Sequence, residues 1–194
     1  TYASLDDYRR QYGDDSKDIA FELPCVFTFD WGGVGETVCL LNSREDLKSV
    51  LQKAADCERS GQKGFLLQEF GPSEGKSMRV VIIGRTLVSY WRIQENIDAF
   101  LSNVSRGARI DTELEPERQN VAKVFVKNLC NKTSINLAGF DVIFAPVKEN
   151  IKPLMLEINY FFGRRGLGGS DAYYEILKRE IHNWLNQVLG GQDK

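Results

Sequence analysis

The stretch LAGFDVIFAPVKENIKPLMLEIN, residues 137–159, decides the fold. Two apolar runs, LAGFDVIFAP and PLMLEIN, flank the polar turn VKEN, so they read as two strands joined by a turn. Alternate strand residues share a face, so Glu157 and Asn159 point one way while Leu156 and Ile158 point the other. Asp141 sits inside the preceding strand. If the two strands pair as a hairpin, Asp141, Glu157 and Asn159 converge at one end of a sheet. Two carboxylates and an amide oxygen are hard ligands that suit Mg²⁺, which keeps waters and takes substrate phosphates as further ligands. The alternative is that Asp141 caps a turn while Glu157 pairs with an arginine.

Downstream lies YFFGRRGLGG, residues 160–169, with an arginine pair and a glycine cluster. A helix follows from Ser170, a cap residue, to about Leu189, before Gly190-Gly191. It carries the only histidine, His182, which reads as a helix-surface residue, and this disfavours Ser-His and Cys-His chemistry. Upstream, SLDDYRRQYG reads as a short helix ended by Gly13. PCVFTF and ETVCLL form a strand hairpin around the glycine loop DWGGVG, and Ser43 caps a helix through about Cys57. GFLLQEF is a strand. SMRVVIIG and RTLVSYWRI form a second hairpin across Gly84-Arg85. Asn103, Arg106, Gly107 and Arg109 suggest a functional loop, and Pro116 opens a helix through about Cys130. The order is α+β with mainly antiparallel sheets, not the alternation of a doubly wound sheet.

The 194 residues, 42% hydrophobic, suffice for one large domain or two small lobes, read here as residues 1–70 and 71–194. A formal net charge of −2 points away from nucleic acid and other polyanions, and no apolar run approaches membrane-spanning length. Cys25, Cys39, Cys57 and Cys130 are widely spread and form no C-x-x-C, so they read as buried free thiols of a reducing cytoplasm.

Gly32, Gly33 and Gly35 lie at the tip of the first hairpin, where glycines let backbone N–H groups approach phosphate; an ordinary flexible turn reads equally well. Arg79, Arg92, Arg106, Arg109, Arg164 and Arg165 fall in or beside polar loops or at strand ends. Arginine recognises phosphate and carboxylate bidentately, although for any one of them solvated charge is the plain reading. Trp31, Trp91, Tyr160, Phe161 and Phe162 are candidates to stack on a base, or else core and cleft wall.

FLLQEFGPSEGKSMRVVIIGRTLVSYWR, then LSNVSRGA, LAGFDVIF and LMLEIN, in that order, resemble the ATP-grasp superfamily. The set is similar to the branch that holds ribosomal-protein glutamate ligases and prokaryotic glutathione synthetases. The resemblance implies two α+β lobes with a nucleotide cleft between them. It implies a ligase that joins a carboxylate to an amine or thiol through an acylphosphate, using ATP and one or two Mg²⁺ (or Mn²⁺). Gln68, Glu69 and Phe70 would line the nucleotide site, the last two meeting adenine through their backbone. Gly32, Gly33 and Gly35 would close over the phosphates. Arg79 and Arg92 would orient the γ-phosphate or the substrate carboxylate. Ser102 and Asn103 would bind at the metal–phosphate end with Arg106 beside them, and Asp141, Glu157 and Asn159 would hold the metal.

Three positions depart from the family pattern. Thr28 stands where a lysine usually contacts ATP phosphates, Ser77 where an acid often meets the ribose, and Leu101 where some relatives have arginine. Lys17 and Lys76 are candidates to compensate. Relatives also carry a preceding domain, so an upstream domain is an expected partner. YFFGRRGLGGSDAYY differs from the usual small-residue loop and suggests an acidic or aromatic substrate. The competing readings are a catalytically reduced module that keeps the fold as a nucleotide-binding or regulatory partner, and a small-molecule kinase.

Overall fold

The computed structural model describes residues 1–13, 21–31, 37–71, 73, 75–94, 108–147 and 150–189. Gly32, Gly33, Gly35, Ser102, Asn103 and Arg106, with Lys17 and Leu101, lie outside the described residues. The chain divides into two compact units, Thr1–Gly71 and Pro72–Lys194.

The first unit opens with helix α1, Leu5–Tyr12, which Ser4 caps by accepting the amide of Asp7 at 3.2 Å. Strands β1 (Cys25–Phe29) and β2 (Val38–Leu41) pair antiparallel, and helix α2 (Arg44–Arg59) follows. Ser43 and Asp46 form a reciprocal cap at the start of α2, each accepting the other's amide, at 3.1 and 2.9 Å. Strand β3 (Phe65–Glu69) pairs with β1 on its other edge, so the sheet order is β2-β1-β3. Alternation divides the two faces. Cys25, Phe27, Phe29, Leu41, Phe65 and Leu67 form one core with Leu5, Tyr8, Leu47, Val50 and Ala54 of the two helices. The opposite face carries Val26, Thr28, Val38, Leu40, Leu66 and Gln68, all half-buried.

The second unit is a five-stranded antiparallel sheet of order β6-β5-β4-β7-β8. Strands β4 (Lys76–Ile83) and β5 (Thr86–Ile93) form the hairpin across Gly84-Arg85. The short β6 (Arg109–Asp111) adds to β5, then come helix α3 (Pro116–Thr133), β7 (Leu137–Val147) and β8 (Asn150–Asn159). A 3-10 turn, Arg165–Leu167, leads into helix α4, Ser170–Leu189. Strand β4 is buried on both faces. Met78, Val80 and Ile82 meet Ala122, Val126 and Cys130 of α3, while Val81 and Ile83 pack with Tyr90, Leu167 and Tyr173 beneath α4.

Several expectations change. Strands β7 and β8 extend into VKEN, leaving only residues 148–149 between them. Pro153 lies inside β8, tolerated because β8 is an edge strand. Arg109 is a strand residue ion-paired to Asp111 at 2.8 Å rather than part of a loop. Cys25 and Cys130 are buried free thiols, and burial raises the pKa of both; Cys39 and Cys57 are free but only half-buried.

The alternation along β8 also breaks. Val142 faces Met155, yet Asp141 faces Glu157, so Leu156 is an extra residue in a β-bulge. Met155, not Leu156, joins Ile158 against the α3 core, and Leu156 is exposed. Counted from the 148–149 connection, a regular ladder would set Asp141 opposite Leu156 and Glu157 opposite Phe140. Glu157 would then lie on the α3 face. The one-residue bulge moves Glu157 onto the face of Asp141.

Candidate functional site

Cross-strand register builds a polar row on the face of the larger sheet opposite α3. Tyr90 on β5 faces Arg79 on β4, Arg79 faces Asp141 on β7, and Asp141 faces Glu157 on β8. One step towards the open end of the hairpin, Arg92 faces Ser77; one step the other way on β7 and β8, Gly139 faces Asn159. The row is buried at its centre: Arg79, Arg92 and Asp141 are 8%, 7% and 6% exposed. Glu157 is exposed and Asn159 half-buried.

Asp141 is held by both arginines. Arg79 donates from Nε to Oδ1 and from Nη2 to Oδ2, the second at 2.9 Å. Nη2 of Arg92 lies 3.0 Å from Oδ2. Arg92 also donates from Nε and Nη2 to Ser77 Oγ, at 3.1 and 2.9 Å. The Ser77 hydroxyl therefore orients an arginine. Asn159 Nδ2 makes a long 3.5 Å contact to Asp141 Oδ2, which leaves the Asn159 carbonyl oxygen free to turn outward.

Burial works against the Arg79 cation, but its hydrogen bonds and charge interaction with Asp141 outweigh that, and its pKa is raised. Burial likewise raises the Tyr90 phenol, while Arg79 and Arg92 pull it back in part.

A divalent cation fits this donor set. Among the described residues Asp141 Oδ1 accepts only from Arg79 Nε, so a second lone pair is open. Glu157 makes no hydrogen bond or ion pair among the described residues, and the Asn159 oxygen supplies a third ligand on the same face. No three His, Cys, Asp or Glu side chains cluster as a metal site among the described residues; here the third donor is an amide. Charge adds a condition. Arg79 and Arg92 already balance Asp141 and Glu157, so a dication needs anionic oxygens to arrive with it.

The remaining candidates separate. Arg79 sits inside β4 rather than in a loop, and Arg92 is at the end of β5, one residue before its last. Gln68 is half-buried near the end of the edge strand β3, on the sheet face opposite the helix core, and Glu69 is exposed at the end of β3. Lys76 pairs with Glu115 at 3.2 Å and lies over Trp91, so this amine is already engaged. Arg164 stacks on Tyr173 and Tyr174 at 4.6 and 4.8 Å and donates to the Tyr174 hydroxyl at 3.0 Å. It anchors its own loop to α4. Trp91 is core, its Nε1 donating to the Leu114 carbonyl at 2.9 Å; Trp31 packs on the first core and Phe162 beneath α4. Tyr160 and Phe161 are exposed. His182 lies on the surface of α4, as the sequence suggests.

Sequence reasoning missed the contributions of Ser77, Tyr90 and Gly166. The first two were recoverable. A hairpin turning on Gly84-Arg85 sets Ser77 opposite Arg92 and Tyr90 opposite Arg79 by counting alone. Nothing local marks Gly166, whose role depends on the turn meeting β5.

Comparison with known proteins agrees with this fold. A family model described as the RimK-like ATP-grasp domain matches residues 4–178. A probable alpha-L-glutamate ligase of Xanthomonas campestris pv. campestris is 29% identical over 161 residues, covering 80% of this chain and 51% of that protein. One from Syntrophotalea carbinolica is 30% identical over 159 residues, covering 76% and 50%. The chain thus spans about half the length of the curated relatives it matches. The D-alanine–D-alanine ligase of Bacillus anthracis shares the fold, with a TM-score of 0.57 at 13% identity over 85% of this chain and 57% of that one. The chain therefore belongs to the RimK-like ATP-grasp family and has the ATP-grasp fold.

Proposed function

We propose that this chain is the ATP-binding part of an ATP- and Mg²⁺-dependent ligase that joins a carboxylate to an amine through an acylphosphate. The carrying observation is the row Arg79–Asp141–Glu157, with Arg92 and Asn159 at its sides. Asp141, Glu157 and Asn159 hold the metal, which when bound with ATP screens the phosphates and stabilises charge on the transferring phosphoryl group. Arg79 and Arg92 offset the repulsion between the anionic carboxylate and the anionic phosphate and align the two. The half-buried Val26, Val38, Leu40 and Leu66, on the face of the smaller sheet opposite its helix core, are candidates to meet a base, with Gln68 as a polar handle and Glu69 and Phe70 beyond it. The family resemblance alone assigns Gly32, Gly33 and Gly35, and Ser102, Asn103 and Arg106, to the phosphates; all six lie outside the described residues. No protein nucleophile is required.

The names of the relatives make glutamate the first candidate for the amine substrate. The span of about half their length makes a further domain the expected partner on the substrate side. Four free cysteines suit a reducing cytoplasm, and among the described residues no helix is long and apolar enough to cross a membrane.

One observation favours the second reading, a module that binds nucleotide without turnover. Thr28 holds the usual lysine position, and Lys76 is engaged with Glu115. Calorimetry of this chain with Mg·ATP tests the binding part. ADP release by the longer protein, supplied with glutamate and an acid, separates ligase from binding module. Binding without any acid- and amine-dependent ADP release supports the second reading; no binding at millimolar Mg·ATP contradicts both.

A further inference from the structure

We propose that Tyr90 and Gly166 form a positioning pair that holds Arg79 and Arg92 ready for an anionic ligand. The inference rests on the proposed role of those arginines at phosphate and adds what fixes them there.

Tyr90 is directly opposite Arg79 and two residues from Arg92 on one strand, so all three share a face. It is 3% exposed. The 3-10 turn closes over it. A Cβ on Gly166 would lie 2.2 Å from Tyr90 Cζ and 2.3 and 2.4 Å from the two Cε atoms. The glycine backbone therefore rests on the ring face at its hydroxyl end, where no larger residue fits. The turn itself is fixed: Arg164 stacks on Tyr173 and Tyr174, Leu167 is buried, and the Leu167 amide donates to the Arg164 carbonyl at 3.0 Å. A second close approach confines Arg79 on its other side. A Cβ on Gly139 would come within 3.1 Å of Arg79 Cδ and Nη1 and of Phe162 Cβ. The segment after Asn159 thus meets the residues beside the arginines at two places, Phe162 at Gly139 and Gly166 at Tyr90.

This arrangement matters because of how arginine binds. Its side chain has many rotamers, and ordering it when the ligand arrives subtracts from affinity. Asp141 holds both guanidinium groups, yet Asp141 is also the carboxylate a metal needs. If Asp141 turns to a cation, the arginines keep their direction only if other walls confine them. Tyr90, braced by Gly166, and the Gly139–Phe162 contact are those walls.

The test is calorimetric binding of Mg²⁺ with a non-hydrolysable ATP analogue, compared with AMP, for four variants alongside thermal melting. Gly166→Ala adds the excluded methyl, and Tyr90→Leu removes the ring without adding bulk. Tyr90→Phe keeps the ring. Gly163→Ala is the control, since a Cβ there meets nothing within 4 Å. Gly166→Ala and Tyr90→Leu are expected to weaken the triphosphate analogue about tenfold while AMP binding holds, the order of effect that re-ordering a rotamer-rich side chain on binding produces. Tyr90→Phe and Gly163→Ala are expected to match the parent chain. Should Gly166→Ala fail to fold, Tyr90→Leu carries the same readout. Parent-like analogue affinity in Tyr90→Leu, with only a lower melting temperature, overturns the positioning role. If the parent chain itself binds AMP as tightly as the analogue, the phosphate role of the arginines fails, and this inference with it.

Discussion

The β4–β5 hairpin has a carboxylate at each end, and the two are treated in opposite ways. At the turn, Glu180 of α4 accepts from the Arg85 amide and the Thr86 hydroxyl, both at 2.8 Å, and sits where a Cβ on Gly84 would be 2.6 Å from its Oε2. Its two oxygens accept from neutral donors of the hairpin, and the only cation within ion-pair distance among the described residues is Arg179 of the same helix, at 3.8 Å. Towards the open end, Asp141 meets two buried cations, and beside it Glu157 makes no hydrogen bond or ion pair among the described residues and acts on Arg79 only through its charge. A carboxylate that only fastens a turn is saturated by local donors. A carboxylate cluster that leaves oxygen atoms and balanced charge at a sheet surface is a candidate ligand set. The difference separates a structural glutamate from a candidate ligand set without appeal to family.

Substitution should expose the contrast most strongly in stability. Asp141→Asn leaves two buried guanidinium groups without their counter-charge and is expected to cost about 3–5 kcal/mol in urea unfolding. Glu180→Gln keeps an acceptor for its neutral donors and should cost only about 1 kcal/mol. Equal losses would erase the distinction between the two ends.

Gly84→Ala strikes the turn end alone. With φ of 59° and Glu180 in the way, the added methyl is expected to destabilise the chain by about 1–3 kcal/mol while Mg·ATP affinity is retained. A parallel loss of nucleotide affinity would mean that the two ends act as one.

The smallest expected effect is in pH dependence. The Arg85 amide first, then the Thr86 hydroxyl, hold the Glu180 pKa below the ordinary glutamate range. A depressed folded-state pKa contributes stability above the unfolded value, lost as pH falls through the folded one. Unfolding measured from about pH 6 down to pH 3 should therefore show a shallower acid loss in Glu180→Gln than in the parent. An unchanged slope would show that these hydrogen bonds do not persist in solution.

Much of the site was legible before any coordinates. Alternation placed Glu157 and Asn159 on one face, and the paired apolar runs put Asp141 on the neighbouring strand. The reason they meet was not legible, because Leu156 looks like any strand leucine and a bulge depends on the ladder beside it. Arg79 was singled out for its place before VVII, yet its burial with Arg92 requires β5 and β7 on either side of β4. The arginines of GRRGLGG illustrate the reverse. Arg164 read either as solvated charge or as part of a substrate-facing loop, but Tyr173 and Tyr174 of α4 claim it. Local pattern gives faces and strands; who neutralises whom depends on sheet order.

The central claim is that Glu157, brought beside Asp141 by the bulge, ligates a divalent ion that enters together with nucleotide. The most direct measurement is Mn²⁺ binding followed by electron paramagnetic resonance, with and without a non-hydrolysable ATP analogue, in the parent chain and in Glu157→Gln. The account predicts weak Mn²⁺ binding by the protein alone, and tight binding with the analogue that falls about tenfold or more in Glu157→Gln, while stability changes by less than about 0.5 kcal/mol. Equal Mn²⁺ binding by parent and variant in the presence of the analogue would contradict it.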